Sequence, residues 1–243
     1  MDFPYFSHFV KNEQKNRIDK LTEEGSPLKD KRKIPAALAA RLPRYFRCLR
    51  TMLLEGSFRT SSGELAERMN TTAAQVRSDL GYFDSHGQQG YGYSVKPLYT
   101  EISRALGTAE GYRAVFLGGT PGESLADEAL FGGRGIRLCA CFSDALYERE
   151  AVGSVTPVYP PEELEGYLAA NPTEIAVLSP HYIIKEDFLE RMKAAGIRGI
   201  LNLSPTELPK DRGVAVINLM IGDLLMMLGA MVLENGRKEE TEE

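Results

Sequence analysis

The chain has 243 residues, enough for one large domain or two modest ones, and 43% of them are hydrophobic, as in ordinary globular proteins. Its three cysteines form neither a disulfide framework nor a zinc-binding spacing, and its N-terminus lacks the basic segment and apolar run of a signal peptide. The longest apolar stretch, residues 219–233, is interrupted by Asp223 and two glycines and is short for a membrane span. These features predict a cytoplasmic protein with no membrane anchor.

Charge is unevenly distributed along the chain. Residues 31–107 contain twelve basic and six acidic side chains, a net charge of +6, whereas the whole chain carries −5. The remainder therefore carries −11. Blocks of opposite sign suggest two domains, and the basic block has the sign needed to meet phosphates.

The first predicted element is a helix that follows an N-terminal tail, residues 1–30, to which we assign no function. Its apolar residues recur every three or four positions, and Gly56 ends it. These apolar residues are Leu38, Leu42, Tyr45, Leu49 and Met52 or Leu53.

Two short helices are predicted next, each beginning at a capping box. Ser61 caps a helix over residues 64–69, and Thr72 caps another that runs to about Phe83. Short helices joined by so tight a turn, behind a longer helix, predict a helix-turn-helix. The glycine-rich residues 86–95 predict a hairpin, or wing.

The winged helix-turn-helix domain is predicted over residues 31–107. Its last element is a helix over residues 97–106, and residues 107–111 form a glycine-containing linker.

The second predicted domain, residues 112–233, alternates short apolar strands with helices. This alternation predicts an α/β fold, a Rossmann-like doubly wound parallel sheet. A last apolar helix is predicted near residues 222–233, and the acidic tail, residues 234–243, is predicted to be solvated and disordered. The predicted strands are residues 114–119, 136–142, 156–159, 174–179, 199–203 and 214–218.

Six ordered blocks of sequence resemble the Rex family of redox-sensing repressors. The resemblance spans roughly residues 31–233, and the order of several blocks makes it far more specific than a single motif. The block AGIRGILNLSP, for example, is similar to the family's AGIKGILNFAP segment. The blocks are residues 33–35, 41–45, 61–66, 75–83, 90–95 and 195–205.

The resemblance implies a homodimeric transcriptional repressor that places its wings and recognition helices on palindromic double-stranded DNA. It further implies that NADH releases the DNA, that NAD⁺ permits binding, and that the C-terminal helix is exchanged between partners. The methionines of that helix fit a core or a dimer interface better than a metal site.

The candidate DNA contacts lie on the predicted recognition helix and beside it. Arginine can bond guanine with two hydrogen bonds, glutamine can bond adenine in the same way, and hydroxyls suit phosphates. Ser78, Gln88 and Gln89 stand where the resemblance expects basic or threonine side chains, which predicts weaker binding. The candidates are Arg44, Arg59, Ser61, Thr71, Thr72, Gln75, Arg77, Ser78 and Lys96.

The candidate NAD(H) site follows the first strand of the second domain, where the dinucleotide fingerprint expects three glycines. Pro121 removes an amide donor, and Glu123 brings a carboxylate near the expected pyrophosphate. Two such charges about 5 Å apart repel by roughly 3 kcal/mol. The candidates are Gly118, Gly119, Thr120, Pro121, Gly122, Glu123, Asp144 and Ser179.

The sequence differs from the pattern of the resembled family at two further places, the ribose-binding acid and one ion pair. Ser143 stands where a ribose-binding acid is expected, with Asp144 next to it. The resemblance also pairs Arg47 with an aspartate at the position of Met220, and that ion pair cannot form here.

Several functions stay open from the sequence. The chain could be a Rex paralogue that binds DNA without NADH control, or a ligand-binding or interaction module that pairs with another Rex-like subunit. An oxidoreductase is the least favoured class, because no catalytic arrangement accompanies the altered glycine segment. We therefore predict no enzymatic activity, no catalytic residue and no metal site.

Overall fold

A computed structural model describes residues 34–83, 92–108, 111–119, 131, 133–144 and 156–242 of the chain. The chain divides into two compact units between Gly111 and Tyr112.

The first unit is mainly helical. Its helices are α1 (Ala36–Ala39), α2 (Leu42–Leu54), α3 (Ser62–Arg68), α4 (Ala73–Leu80) and α5 (Val95–Ala105). The sequence predicted one helix where α1 and α2 lie. Pro43 explains the break, because its ring would clash with the carbonyl of the residue four positions earlier and it has no N–H to donate.

Both predicted helix caps are confirmed. The Ser61 hydroxyl accepts a hydrogen bond from the Glu64 backbone N–H at 3.0 Å, and the Thr72 hydroxyl accepts one from Gln75 N–H at 3.1 Å. Asn70 adopts a φ of 48° in the turn between the two helices. The helix-turn-helix geometry of α3 and α4 therefore follows from two hydroxyls and one tight turn.

A two-stranded antiparallel ribbon joins β1 (Arg59–Thr60) to β2 (Tyr93–Ser94). The predicted wing hairpin, residues 86–95, falls largely outside the described residues, and β1 was not predicted. A strand of two residues, such as β1, is too short to show the alternating pattern that identifies strands in a sequence. Gly92 has a φ of 69°, and a Cβ there would collide with the Thr60 carbonyl, which explains the glycine.

One buried carboxylate lies in the core of the first unit. Asp79 of α4 is only 4% exposed. Arg41 donates two hydrogen bonds to it, at 2.6 and 2.8 Å, and Tyr45 and Gln75 each donate one, at 3.0 and 2.9 Å. Burial alone would raise the pKa of Asp79, but the hydrogen bonds from Arg41, Tyr45 and Gln75 outweigh it and lower the pKa.

The second unit contains a six-stranded parallel sheet. Its strands are β3 (Tyr112–Leu117), β4 (Ile136–Phe142), β5 (Val158–Tyr159), β6 (Ile175–Leu178), β7 (Gly199–Asn202) and β8 (Ala215–Asn218). Their spatial order is β5-β4-β3-β6-β7-β8, which is the Rossmann order of two half-sheets diverging from a central pair. The predicted fold class is confirmed.

Apolar side chains cover both faces of this sheet. On one face, a core that includes Val115, Leu117 and Leu178 packs against helices α6 (Leu164–Ala170) and α7 (Phe188–Ala194), with a short 3₁₀ turn (Pro161–Glu163) before α6. On the other face, Phe116 and Phe131 belong to a smaller core. Strands buried on both sides explain the nearly continuous apolar runs in the sequence.

The last helix, α8 (Ile221–Glu242), is longer than predicted. The prediction that residues 234–243 are disordered is wrong for residues up to Glu242. Glutamate, lysine and arginine make up most of this segment, and all three are good helix formers, which outweighs the single Gly236. Among the described residues, none of the helices has the length and apolar character required to cross a bilayer.

We predict that Asp79→Ala lowers the free energy of unfolding of the first unit by about 3 kcal/mol, because it leaves Arg41 and Tyr45 without their acceptor. Since the pKa of Asp79 is lowered by folding, its contribution is complete above about pH 4 and is lost as the pH falls through that lowered pKa. Urea unfolding followed by hydrogen exchange of residues 34–83 measures both effects. Exposed Glu67 provides the control Glu67→Ala, and equal stability of the two variants would contradict the prediction.

Candidate nucleic-acid and nucleotide sites

The outer face of the helix-turn-helix carries hydroxyl and cationic side chains. Thr72, Arg77 and Ser78 are exposed on α4 or at its start, and Thr71 is half-buried before it. The Arg77 guanidinium donates to the Ser62 hydroxyl at 3.2 Å, which holds it between α3 and α4. The cap hydroxyl of Thr72 accepts from the helix backbone, so its own proton is available to a phosphate oxygen.

The remaining DNA candidates lie on neighbouring elements. Arg59 and Ser61 are exposed beside the ribbon, and Lys96 is exposed at the start of α5. Arg44 is exposed on α2, and its guanidinium donates to the Met69 carbonyl at the end of α3. The structure thus distributes the cations over α2, β1, α4 and α5 of one unit.

Gln75 differs from the other candidates because its side chain is already bonded within the protein. Its amide nitrogen donates to Asp79 one helical turn further on, and the side chain is half-buried. Sequence reasoning did not identify Asp79 or its partners Arg41 and Tyr45. One signal was present, since Asp79 follows Val76 at the spacing of the buried face of α4, where a carboxylate needs partners.

The carboxyl ends of β3 and β6 meet where the strand order reverses, the usual ligand position of an open α/β sheet. Gly118 and Gly119 follow β3 with φ angles of 86° and 146°, and both of their N–H groups donate to the Phe142 carbonyl. The two glycines thus turn the chain sharply at the point where β3 and β4 end.

Ser179 stabilises this turn by a hydrogen bond to the Gly118 carbonyl. It is 4% exposed, and its hydroxyl donates to the Gly118 carbonyl at 2.8 Å while accepting from the His181 N–H at 3.2 Å. A Cβ on Gly118 would lie 2.7 Å from the Ser179 hydroxyl and 3.0 Å from the Tyr182 Cβ. Only glycine fits between the two loops.

A cavity of about 770 Å³ opens beside the glycine turn. Asp144 lines it and is exposed, whereas the neighbouring Ser143 is buried, so the carboxylate that the cavity offers at the end of β4 is that of Asp144. The lining residues are Leu117, Gly118, Phe142, Ser143, Asp144, Pro161, Glu162, Leu164, Glu165, His181, Tyr182, Ile183, Lys185 and Arg191.

The described lining suits part of a dinucleotide. A carboxylate at the end of the second strand of such a sheet can accept from ribose hydroxyls, and Lys185 supplies a positive charge. Arg191 is neutralised by Glu165, whose carboxylate lies 2.7 Å from its guanidinium. Within the part of the chain that the structure describes, histidine, cysteine and acidic side chains form no cluster that could hold a metal ion.

Some predicted site residues lie outside the described part of the chain. They are Thr120, Pro121, Gly122 and Glu123 of the nucleotide candidates, and Gln88 and Gln89 of the wing.

Comparison with known proteins places the chain in a family. Residues 33–81 match the family described as "Putative DNA-binding protein N-terminus". The redox-sensing transcriptional repressor Rex of Clostridioides difficile is 36% identical over 210 residues, 83% of this chain and 96% of the relative. The Rex of Caldicellulosiruptor saccharolyticus is 34% identical over 200 residues, 82% and 91% of the two chains.

Solved structures agree with this relationship. RSP in complex with β-NAD⁺ and operator DNA superposes with a TM-score of 0.70 at 30% identity, covering 87% of this chain and 98% of RSP. RSP in complex with β-NADH gives 0.69 at 28% identity, covering 86% and 99%. The chain belongs to the Rex family of redox-sensing transcriptional repressors. The prediction of a transcriptional regulator rather than an enzyme is confirmed by this membership.

We predict that Gly118→Ala lowers the free energy of unfolding by about 2 kcal/mol, because alanine is strained at a φ of 86° and its Cβ collides with Ser179. Gly166 lies exposed in α6 with open space around it, so Gly166→Ala should leave stability unchanged or raise it by up to about 1 kcal/mol. Equilibrium urea unfolding compares the two. A Gly118→Ala protein as stable as Gly166→Ala would contradict the assigned turn geometry.

Proposed function

We propose that the chain is a cytoplasmic homodimeric repressor that binds palindromic double-stranded DNA through its first unit and is released from DNA by NADH bound in its second unit. The observation that carries the proposal is the capped helix α4, which presents Thr72, Arg77 and Ser78 on its exposed face. The relative RSP supports the proposal, since it has been crystallised with operator DNA.

DNA binding rests on the chemistry of the first unit. Cations and hydroxyls around α4 suit phosphate oxygens, while the start of a recognition helix suits the base edges in the major groove. We propose that Arg44, Arg59, Ser61, Thr71, Thr72, Arg77, Ser78 and Lys96 contact DNA, with Gln75 directed at a base.

Dimerisation rests on α8. All residues from Ile221 to Arg237 are exposed, including Leu225 (63%), Met226 (76%) and Val232 (63%). A helix that is apolar nearly all round is normally buried, so its natural cover is a second copy of the chain. The same argument extends to Ile217 of the edge strand β8, which is 65% exposed.

Nucleotide sensing rests on the cavity at the ends of β3 and β4. We propose that Gly118 and Gly119 give the dinucleotide close access to the backbone, and that Asp144 accepts hydrogen bonds from a ribose. Thr120, Pro121, Gly122 and Glu123 would continue the phosphate-binding segment. Ser179 would act by holding the glycine turn.

A second candidate function is favoured by two residues of the same segment. Pro121 lacks an amide proton, and the carboxylate of Glu123 would repel a pyrophosphate by roughly 3 kcal/mol at 5 Å. A DNA-binding Rex paralogue that answers to a less negatively charged ligand would tolerate both. The altered pair Arg47 and Met220 agrees with this alternative.

Calorimetric titration with NADH separates the two candidates. The proposed function predicts saturable binding in the micromolar range or tighter, weakened about tenfold or more by Asp144→Asn, because one charge-assisted hydrogen bond is lost. Glu186 is exposed outside the cavity lining, so Glu186→Gln serves as the control. Absence of heat at millimolar NADH would favour the second candidate.

For the DNA contacts, we predict that Arg77→Ala weakens binding to a palindromic duplex and makes the affinity less sensitive to salt. A dimer loses two phosphate contacts, so the slope of log affinity against log salt should fall by about 1.8. Fluorescence anisotropy at several salt concentrations measures the slope. Arg212, exposed in the second unit, provides the control Arg212→Ala, and an equal slope in both variants would contradict a role for Arg77.

For the dimer, we predict that the double substitution of Leu225→Glu and Leu228→Glu produces monomers, because four carboxylates would enter an apolar helix pairing. Sedimentation equilibrium should give a mass near 27 kDa in place of twice the chain mass of 26.9 kDa. Arg237→Gln, a change at the polar end of the same helix, should remain dimeric. A double variant that stays dimeric would show that another surface holds the two chains together.

A further inference from the structure

The buried carboxylate of Asp79 is shared between the core of the first unit and the side chain of Gln75. Tyr45 donates to it from α2, and Arg41 donates from the position just before α2. Gln75 donates from α4 itself, one helical turn before Asp79. A side chain expected to meet DNA is therefore bonded to a group that anchors the whole helix.

All the acceptor capacity of this carboxylate is in use. Its Oδ1 accepts from Arg41 Nη2 at 2.6 Å and from Gln75 Nε2 at 2.9 Å. Its Oδ2 accepts from Arg41 Nε at 2.8 Å and from the Tyr45 hydroxyl at 3.0 Å. Each oxygen thus receives two donors, the number that its lone pairs can serve.

An ionised carboxylate fixes which edge of an amide can approach it. It accepts hydrogen bonds and donates none, so the Gln75 amide must turn its NH₂ group toward Asp79. With the amide turned over, Gln75 Oε1 would face Asp79 Oδ1, and two acceptors would repel each other. The lowered pKa of Asp79, set by burial against the hydrogen bonds from Arg41, Tyr45 and Gln75, keeps the carboxylate charged at neutral pH.

The fixed amide leaves two groups that Asp79 does not use. Its second N–H and its Oε1 remain, one donor beside one acceptor. In the major groove, adenine presents the complementary pair, the N7 acceptor and the N6 donor, whereas guanine presents two acceptors. A freely rotating glutamine would offer either order of donor and acceptor.

We propose that Asp79 is a positioning residue that sets the base preference of α4, holding the Gln75 amide in the single orientation that reads adenine. This inference rests on the proposed DNA binding of the first unit.

The test selects bound duplexes from a random-sequence pool with the full-length protein and sequences them. Wild type should enrich adenine at one position of each half-site. Gln75→Ala should reduce that preference about tenfold or more and leave the other positions of the site unchanged, since a bidentate base contact contributes about 1–3 kcal/mol of discrimination.

Asp79 is tested by the double variant Asp79→Leu with Tyr45→Phe. It removes the carboxylate together with the buried phenol that would lose its acceptor, while the Arg41 side chain, which is 34% exposed, can turn to water. The adenine preference should fall at the same position as in Gln75→Ala, with the rest of the selected site retained. Tyr45→Phe alone keeps the bond between Gln75 and Asp79 and should keep the adenine preference.

A second measurement does not depend on the folding of the double variant. Nitrogen-15 relaxation of the wild-type Gln75 side-chain amide should show an ordered group, as rigid as the backbone of α4. A freely mobile Gln75 amide would overturn the proposal, as would an unchanged site selected by a folded Asp79→Leu/Tyr45→Phe protein.

The outcomes also separate this inference from the proposed function. If wild type selects no sequence, DNA binding itself fails and the inference fails with it. If wild type selects a palindrome that Gln75→Ala selects equally well, DNA binding stands and only the role of Gln75 and Asp79 is overturned.

Discussion

The Asp79 carboxylate is the constraint on which the DNA-facing unit depends. A charge that is 4% exposed is tolerated only with full hydrogen bonding, and four donors from Arg41, Tyr45 and Gln75 supply it. The bonds from Tyr45 and Arg41 join α4 to α2 and to the residue that caps it, so the proposed recognition helix is held in one position against the core of its own unit. The same bonds leave Arg77 and Thr72 on the outside, where phosphate oxygens could reach them.

The second unit is organised by a different constraint, the close approach of two loops at the point where the strand order reverses. Gly118 and Ser179 lie so near each other that no larger residue fits at Gly118, and the cavity with Asp144 opens beside them. The apolar helix α8 of the same unit is exposed along its length from Ile221 to Arg237. The proposed ligand site and the proposed dimer surface thus belong to one unit, which is the arrangement a ligand-responsive dimer needs.

The sequence predicted the six parallel strands, because buried strands give short apolar runs, and it predicted both caps of the helix-turn-helix from Ser61 and Thr72. It did not predict β1, since two residues show no period, nor the break at Pro43 inside an otherwise helical pattern. The glycine turn was located from the fingerprint, and Ser179 was predicted as a nucleotide-binding residue, but its hydrogen bond to the Gly118 carbonyl was not predicted. The bonds from Arg41 and Tyr45 to Asp79 could not be predicted, because these two residues lie more than thirty positions away along the chain and several arginines could have served.

Control of DNA binding by NADH can be measured in one anisotropy titration. A labelled palindromic duplex obtained by selection is saturated with the protein, and NADH or NAD⁺ is then added at constant salt. NADH should release the duplex at micromolar concentration, whereas NAD⁺ should leave it bound. A complex that forms but stays intact at millimolar NADH would contradict control by this nucleotide, and a duplex that never binds would contradict the proposed DNA binding as well.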